Sequence, residues 1–342
     1  MRRFGGDFRF FDGRDILVTG GTGSFGTALI GQMLEHANPK RLIVFSRDEL
    51  KQYELSEMFG QHPKFRSLRF FIGDVRDQSR LEFALREVDY VIHAAALKQV
   101  PTAEYNPFEC VHTNIIGAEN VVRAALRCEV KRVIALSTDK AASPVNLYGA
   151  SKLAADKIFV AANRVVGKQD IRFSVVRYGN VIGSRGSVLP FFERLIKQGS
   201  PDLPITDERM TRFWITLPQA IDFVVSSMQM MQGGEIFVPK IPSMKIVDVA
   251  KCIAPDLPHR IVGIRPGEKL HEVMITEDDS RQTIDLSDRY IIRPPNEFWS
   301  DEAYRKLGGK DVGEGFRYGS DNNQEWLDAP ALKTLLASSG KV

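Results

Sequence analysis

The chain has 342 residues, 43% of them hydrophobic, and its 46 basic and 43 acidic residues leave a formal net charge of +3. That length can bury a large core and split into a main domain and a smaller lobe. So balanced a charge argues against nucleic acid as a partner, no run approaches the length of a membrane span, and Cys110, Cys128 and Cys252 have neither disulfide nor metal-ligand spacing. A reducing, cytoplasmic setting without a metal site fits this composition, and any phosphate binding must be local. Residues 1–13 lack the apolar stretch of a signal peptide and are read as a mobile arm.

Asp15 to Thr19 (DILVT) reads as a short buried strand running into Gly20, Gly21, Thr22, Gly23, Ser24, Phe25 and Gly26, and then into a helical pattern. Gly20, Gly23 and Gly26 permit a tight turn and close backbone approach, so a pyrophosphate can rest on the helix N-terminus. The next strand, Arg41 to Phe45, ends in Ser46 and Arg47, with Lys51 a turn further on, where NAD would call for a carboxylate on the ribose 2′-hydroxyl. A guanidinium there binds a 2′-phosphate, so NADP is the expected cofactor; Asp48 and Glu49 are read as helix caps. A third strand, Leu68 to Ile72, leads to Gly73, Asp74 and Val75, where Asp74 either meets the adenine amine or caps the following helix. A fourth, Tyr90 to His93, ends in Ala94, Ala95 and Ala96, small enough for backbone to approach a cofactor, and His93 reads as a strand-end histidine rather than a catalyst. Lys98 is either a site cation or a surface lysine, and a helix is expected from Phe108 to Cys128.

The fifth strand, Arg132 to Leu136, delivers Ser137, Thr138, Asp139 and Lys140, and after a Pro144 turn comes a helix carrying Tyr148 and Lys152. Four residues apart, these two share a helix face, and an ammonium beside a phenol favours the tyrosinate, a general base. A hydroxyl and two titratable groups just past a strand's carboxyl end stand where open α/β sheets place their ligands. A sixth strand from Arg172 to Val176 completes an alternation that predicts a doubly wound parallel sheet. Residues 14–178 therefore read as an NADP-binding domain to which 217–240 returns, and 179–342 mainly as a substrate-binding lobe and tail. Arg185, Arg209, Arg212 and Arg265 lie in or beside loops of that lobe; they either grip a diphosphate or pair with Asp207, Glu208 and Glu268.

With TGGTGSFG, FSRDELKQ, FIGDVRD, LSTDKAASPVNLYGASK and IRPGEKLHEVMI in view, the chain resembles an extended short-chain dehydrogenase/reductase of Rossmann fold. Within that superfamily it is similar to the inverting UDP-N-acetylglucosamine 4,6-dehydratases of the pseudaminic acid pathway, used in flagellin and surface glycosylation. The resemblance implies NADP held by Thr22, Ser24, Phe25, Ser46, Arg47, Lys51, Asp74, Val75 and Ala94, with Tyr148 and Lys152 at the nicotinamide end. It implies substrate contacts from Lys98, Asn180, Val181, Arg185, Arg209, Arg265 and Glu268, and from Tyr318 and Ser320 in a tail element returning over the sugar nucleotide. A homo-oligomer is implied as well.

On this reading Tyr148 takes the 4-hydroxyl proton with Thr138 holding the hydroxyl, Lys140 is the base at C5, and Asp139 is the acid for the departing 6-hydroxyl. Burial moves a lysine and a carboxyl toward the required neutral forms, while their mutual attraction opposes it. A 4-epimerase, a retaining 4,6-dehydratase and a non-catalytic NADP-sensing module remain as alternatives.

Overall fold

The computed structural model describes residues 2–184, 187–295 and 299–338. Largely apolar runs form its strands: β1 (Asp15–Thr19), β2 (Arg41–Ser46), β4 (Tyr90–His93), β5 (Arg132–Thr138) and β6 (Arg172–Tyr178) are mostly buried, while β3 (Leu68–Ile72), at the sheet edge, is buried only at Leu68. They lie in the order β3-β2-β1-β4-β5-β6, each parallel to its neighbour, and Ile236–Pro239 pairs parallel with β6. This is the doubly wound α/β sheet expected from the alternation of strand and helix. The order reverses between β1 and β4, and the crevice beyond the strand ends there is the natural ligand site of such a sheet.

Beyond Ile236–Pro239 the sheet continues with Arg289–Ile292, Thr283–Asp285 and Lys310–Asp311, all antiparallel to their neighbours. Sequence reading put these residues in the second lobe; their buried faces instead extend the main core through Ile284, Ile291 and Ile292. A second apolar cluster, including Ile182, Phe192, Ile205, Trp214 and Val249, takes Leu332 and Leu335 from the C-terminal helix Ala329–Ser338.

Two expectations are corrected. The single helix read from Phe108 to Cys128 is Pro107–Val111 and Gly117–Arg127 joined by a π-helical turn at His112–Ile116. Such turns expand the helix by one residue and re-aim side chains, and they occur frequently at functional sites. The N-terminal arm is not free: Phe4 and Phe11 are buried, the Phe4 and Gly6 amides donate to the Asp222 carboxylate at 2.5 and 2.7 Å, and the Arg289 guanidinium lies over Phe4 and Phe223. Aromatic residues on a short polar segment, read locally as a loose extension, find a groove that only the folded sheet supplies.

Among the described residues no helix is long and apolar enough to cross a membrane, and no cluster of His, Cys, Asp and Glu could hold a metal ion. Because Phe4 packs edge-on against Phe223 with centroids 4.9 Å apart, Phe4→Ala should lower stability by about 3 kcal/mol. A urea titration reads this loss, and turnover of the folded fraction should be unchanged.

Candidate active site

A cavity of about 920 Å³ runs along the carboxyl ends of the strands, from the glycine turn after β1 to the turn at Arg265–Glu268. At its near end Gly20 has φ +65°, and a Cβ there would lie 2.9 Å from the Ala95 nitrogen, so only glycine lets the two loops close on each other. Gly23 begins the Ser24–His36 helix with no side-chain cap, which leaves the first amides of that helix to serve an anion. Thr22, Ser24, Phe25, Gly26, Val75 and Ala94 also line this end. The cradle fits the pyrophosphate of a dinucleotide.

Ser46, Arg47, Lys51 and Asp74 line the same end and are already engaged. The Arg47 guanidinium stands 3.4 Å from Asp74, whose carboxylate also takes Arg76 at 2.7 Å, and Lys51 pairs with Asp48. Gln52 is buried and donates to the Ser46 backbone and side-chain oxygens, fixing the start of the loop that carries Arg47. Arg47, half exposed beside one shared carboxylate, retains donors to offer an anion.

Past β5, Thr138 caps the short 3₁₀ turn Asp139–Ala141, and its hydroxyl donates to Asp139 Oδ1 at 3.0 Å. Asn146 caps the Leu147–Ala162 helix, which places Tyr148 and Lys152 on the cavity wall. This helix approaches so closely that a Cβ on Gly149 would stand 2.3 Å from the Lys140 carbonyl oxygen. Thr138, Lys140, Tyr148 and Lys152 therefore meet in one place. Asp139 lies behind them, its carboxyl wholly buried and Oδ2 without a hydrogen-bond partner.

The electrostatics differ from the sequence expectation. Lys140 Nζ sits 3.1 Å from Asp139 and 3.2 Å from Glu272, a carboxylate only 2% exposed that also faces Arg212 and Lys269, each at 3.7 Å. Burial favours a neutral amine, but Asp139 and then Glu272 outweigh it and hold the Lys140 ammonium above its ordinary range. Burial pushes the Asp139 carboxyl up; Lys140 opposes this and Glu272 adds to it. The same order of causes pushes the Tyr148 phenol up to about 12, with burial first and Lys140 and the Thr138 hydroxyl pulling back. The cation acting on the phenol is thus Lys140. Burial pushes the Lys152 ammonium down, and the charge of Asp156 draws it part of the way back.

At the far end Lys98, Asn180, Val181, Arg265 and Glu268 line the cavity. Asn146 Nδ2 donates to the Gly267 carbonyl at 2.7 Å, tying the Arg265–Glu268 turn to the Leu147–Ala162 helix. Four expectations for this end change or fall away. Arg209 is exposed, paired with Asp207 at 2.8 Å and off the cavity wall. Arg212 lines the cavity but is buried, spending its donors on the Thr211, Lys269 and Leu270 carbonyls. Tyr318 and Ser320 are internal: the Tyr318 hydroxyl bonds the Ile241 backbone, and Ser320 Oγ accepts from the Glu272 amide at 2.9 Å. The tail pairs as a strand with Val273–Ile275, which carries both side chains beneath the site. Arg185 lies outside the described residues.

A family profile described as polysaccharide biosynthesis protein matches residues 16–294. The chain belongs to this family. It is 56% identical over 331 residues to a UDP-N-acetylglucosamine 4,6-dehydratase (inverting) of Campylobacter jejuni subsp. jejuni serotype O:23/36 (strain 81-176), covering 95% of this chain and 98% of the relative. It is 39% identical over 333 residues to a UDP-glucose 4-epimerase of Rickettsia canadensis (strain McKiel), covering 95% and 96%. The solved structure of Pen from Bacillus thuringiensis matches with a TM-score of 0.87 at 36% identity, covering 97% of this chain and 99% of that one.

Three residues around the cavity escaped sequence reasoning. Glu272 is distant in sequence from Lys140 and no spacing links them. Arg76 reads locally as a surface charge, yet it grips Asp74. Asn114, in the π-helical turn, exchanges hydrogen bonds with the Leu97 backbone and donates to Ser151 Oγ at 2.9 Å, joining the loop after β4 to the Leu147–Ala162 helix. A polar residue inside an otherwise apolar helical face was the available signal.

His93 Nδ1 lies 2.8 Å from Thr19 Oγ1, which accepts from the Ala94 and Ala95 amides. The Thr19 hydroxyl proton therefore goes to Nδ1, and the neutral ring carries its own proton on Nε2. Burial, reinforced by Lys152, pushes this imidazole down to about 3. The unfolded chain then binds the extra proton first, so this contribution is full above about pH 6.5 and is lost as pH falls toward 3. Denaturant titrations across that window should show stability declining with acid, and His93→Leu should flatten the decline attributable to this group.

Proposed function

We propose that the protein converts UDP-N-acetylglucosamine to UDP-2-acetamido-2,6-dideoxy-β-L-arabino-hexos-4-ulose, an NADP-dependent 4,6-dehydration with inversion at C5. The observation that carries this reading is the meeting of Thr138, Tyr148 and the Asp139–Lys140 pair midway along one cavity, between the glycine cradle and the Arg265 turn. The 56% identical relative named as an inverting dehydratase supports it. The reading carries with it a homo-oligomer in the cytoplasm whose product is the first intermediate of pseudaminic acid formation.

The cradle at Gly20, Gly23 and Gly26, with Arg47 at its edge, would hold NADP, and Tyr148 and Lys152 would flank its reactive end. When bound, the nicotinamide supplies a reversible hydride acceptor. Tyr148 takes the proton of the C4 hydroxyl, which Thr138 orients. Oxidation at C4 acidifies the hydrogen at C5; Lys140 removes it and Asp139 supplies a proton to the departing oxygen at C6. Over one turnover Tyr148 gains a proton and Asp139 loses one. The Thr138 hydroxyl, donating to Asp139 Oδ1 and lying against Tyr148, connects the two and lets the site reset. Arg265 and Lys98 reach the diphosphate end of the substrate.

The 39% identical 4-epimerase supports a second reading, which needs Tyr148 and Lys152 but has no use for an acid and base at C5 and C6. Mass spectrometry of UDP-N-acetylglucosamine incubated with the purified protein separates the two, since dehydration loses one water and epimerisation leaves the mass unchanged. In heavy water one deuterium should enter C5, and proton NMR couplings of the first product should report the inverted configuration; the uninverted ketone as first product would indicate a retaining enzyme.

Tyr148→Phe should lower turnover about a hundredfold or more while sugar-nucleotide binding persists; isothermal calorimetry beside a rate assay reads both. Arg47→Asp should weaken NADP binding markedly and leave NAD binding little changed, as measured by fluorescence titration of the two nucleotides.

A further inference from the structure

We propose that Glu272 is a positioning residue for Lys140: its carboxylate anchors the Lys140 amine opposite Asp139 and tunes how readily that amine surrenders and recovers the proton it exchanges with C5 of the sugar. The inference rests on the dehydratase reading of the site. Lys140 Nζ lies almost equally near the two carboxylates, 3.1 Å from Asp139 and 3.2 Å from Glu272. Only one of these can remain an anion throughout the reaction. Before Lys140 can act as a base its extra proton must pass to Asp139, which then gives that proton to the leaving oxygen. When the C5–H bond breaks, its electron pair moves toward the C4 carbonyl and the proton goes to Nζ; the ammonium later returns a proton to C5.

Asp139 is therefore neutral at the moment Lys140 must be held in place. Glu272 is not on that proton route. It is 2% exposed, its backbone amide is fixed by Ser320 Oγ at 2.9 Å, and Arg212 and Lys269 flank its carboxylate at 3.7 Å. Burial would push its carboxyl up, but Lys140, Arg212 and Lys269 together hold it below its ordinary value, so it stays ionised. The charged and titratable groups facing Lys140 are Asp139, Glu272, Arg212, Tyr148, Lys98 and Lys269. Among them Glu272 alone combines a permanent negative charge with direct contact to Nζ.

Competitive acylation of Lys140, quantified by mass spectrometry across pH, reads the amine's proton affinity without any substrate. A nearby anion favours the ammonium, so Glu272→Gln should move the labelling midpoint to lower pH by about 1 to 3 units, and Glu272→Asp should restore most of it. If Glu272→Gln does not fold, Glu272→Gln with Lys269→Met keeps the cluster's net charge and should still move the midpoint downward relative to Lys269→Met alone, since losing the Lys269 cation by itself favours the ammonium. An unmoved midpoint in a folded variant overturns the proposal. In heavy water, the rising limb of C5 deuterium incorporation should move with the labelling midpoint. A uniform drop in rate with the limb in place would assign Glu272 a merely structural role and also overturn it. A wild-type protein that incorporates no deuterium at C5 at any pH, while the midpoint still moves, refutes the dehydratase reading instead.

Discussion

The structure depends on a buried charge cluster. Lys140 at the end of β5 is held between Asp139, its own neighbour, and Glu272, which belongs to the segment leading into Val273–Ile275. Either carboxylate alone in this dry setting would carry a large desolvation penalty; with Lys140, Arg212 and Lys269 around them the charges are offset. The cluster joins the parallel sheet to the segments that close the far end of the cavity. The contacts that locate the Lys140 amine therefore also locate the far end of the cavity.

Polar networks of the same kind position the other walls. Asn146 caps the Leu147–Ala162 helix through its side-chain oxygen and holds the Gly267 carbonyl through its amide nitrogen. Asn114 bonds the loop after β4 on one side and Ser151 on the other, and Ser151 in turn donates to the Tyr148 carbonyl. Thr19 and His93 pin the first alanines of that loop from below. Asn114, Ser151, Thr19 and His93 are buried, so a missing partner there would leave an unsatisfied group in low dielectric; that cost keeps the cavity walls in one arrangement.

The surroundings of the site favour charge on Lys140 and none on Tyr148. Lys140 is held as an ammonium and Tyr148 as a neutral phenol, the reverse of what the proposed proton abstractions require. Proton transfer inside the Asp139–Lys140 pair changes no net charge, so the neutral form of that pair is reachable without exchange with solvent, whereas Tyr148 must lose a proton from the site to become a base. Burial favours that neutral form and the second carboxylate resists it, which makes the balance sensitive to small displacements around Nζ.

Local patterns in the sequence determined much of this. Strand, glycine turn and helix follow one another within a few residues, so the cradle at Gly20 to Gly26 and the placing of Thr138, Tyr148 and Lys152 were legible from spacing alone. What the sequence could not show was which distant groups meet. The partnership of Glu272 with Lys140, the burial of Arg212, the internal seats of Tyr318 and Ser320, and the docking of Phe4 against Phe223 all join segments far apart in the chain. The protonation of the site was likewise decided by tertiary structure, because a charge beside a buried amine acts through distance and dielectric, and neither is encoded in neighbouring residues.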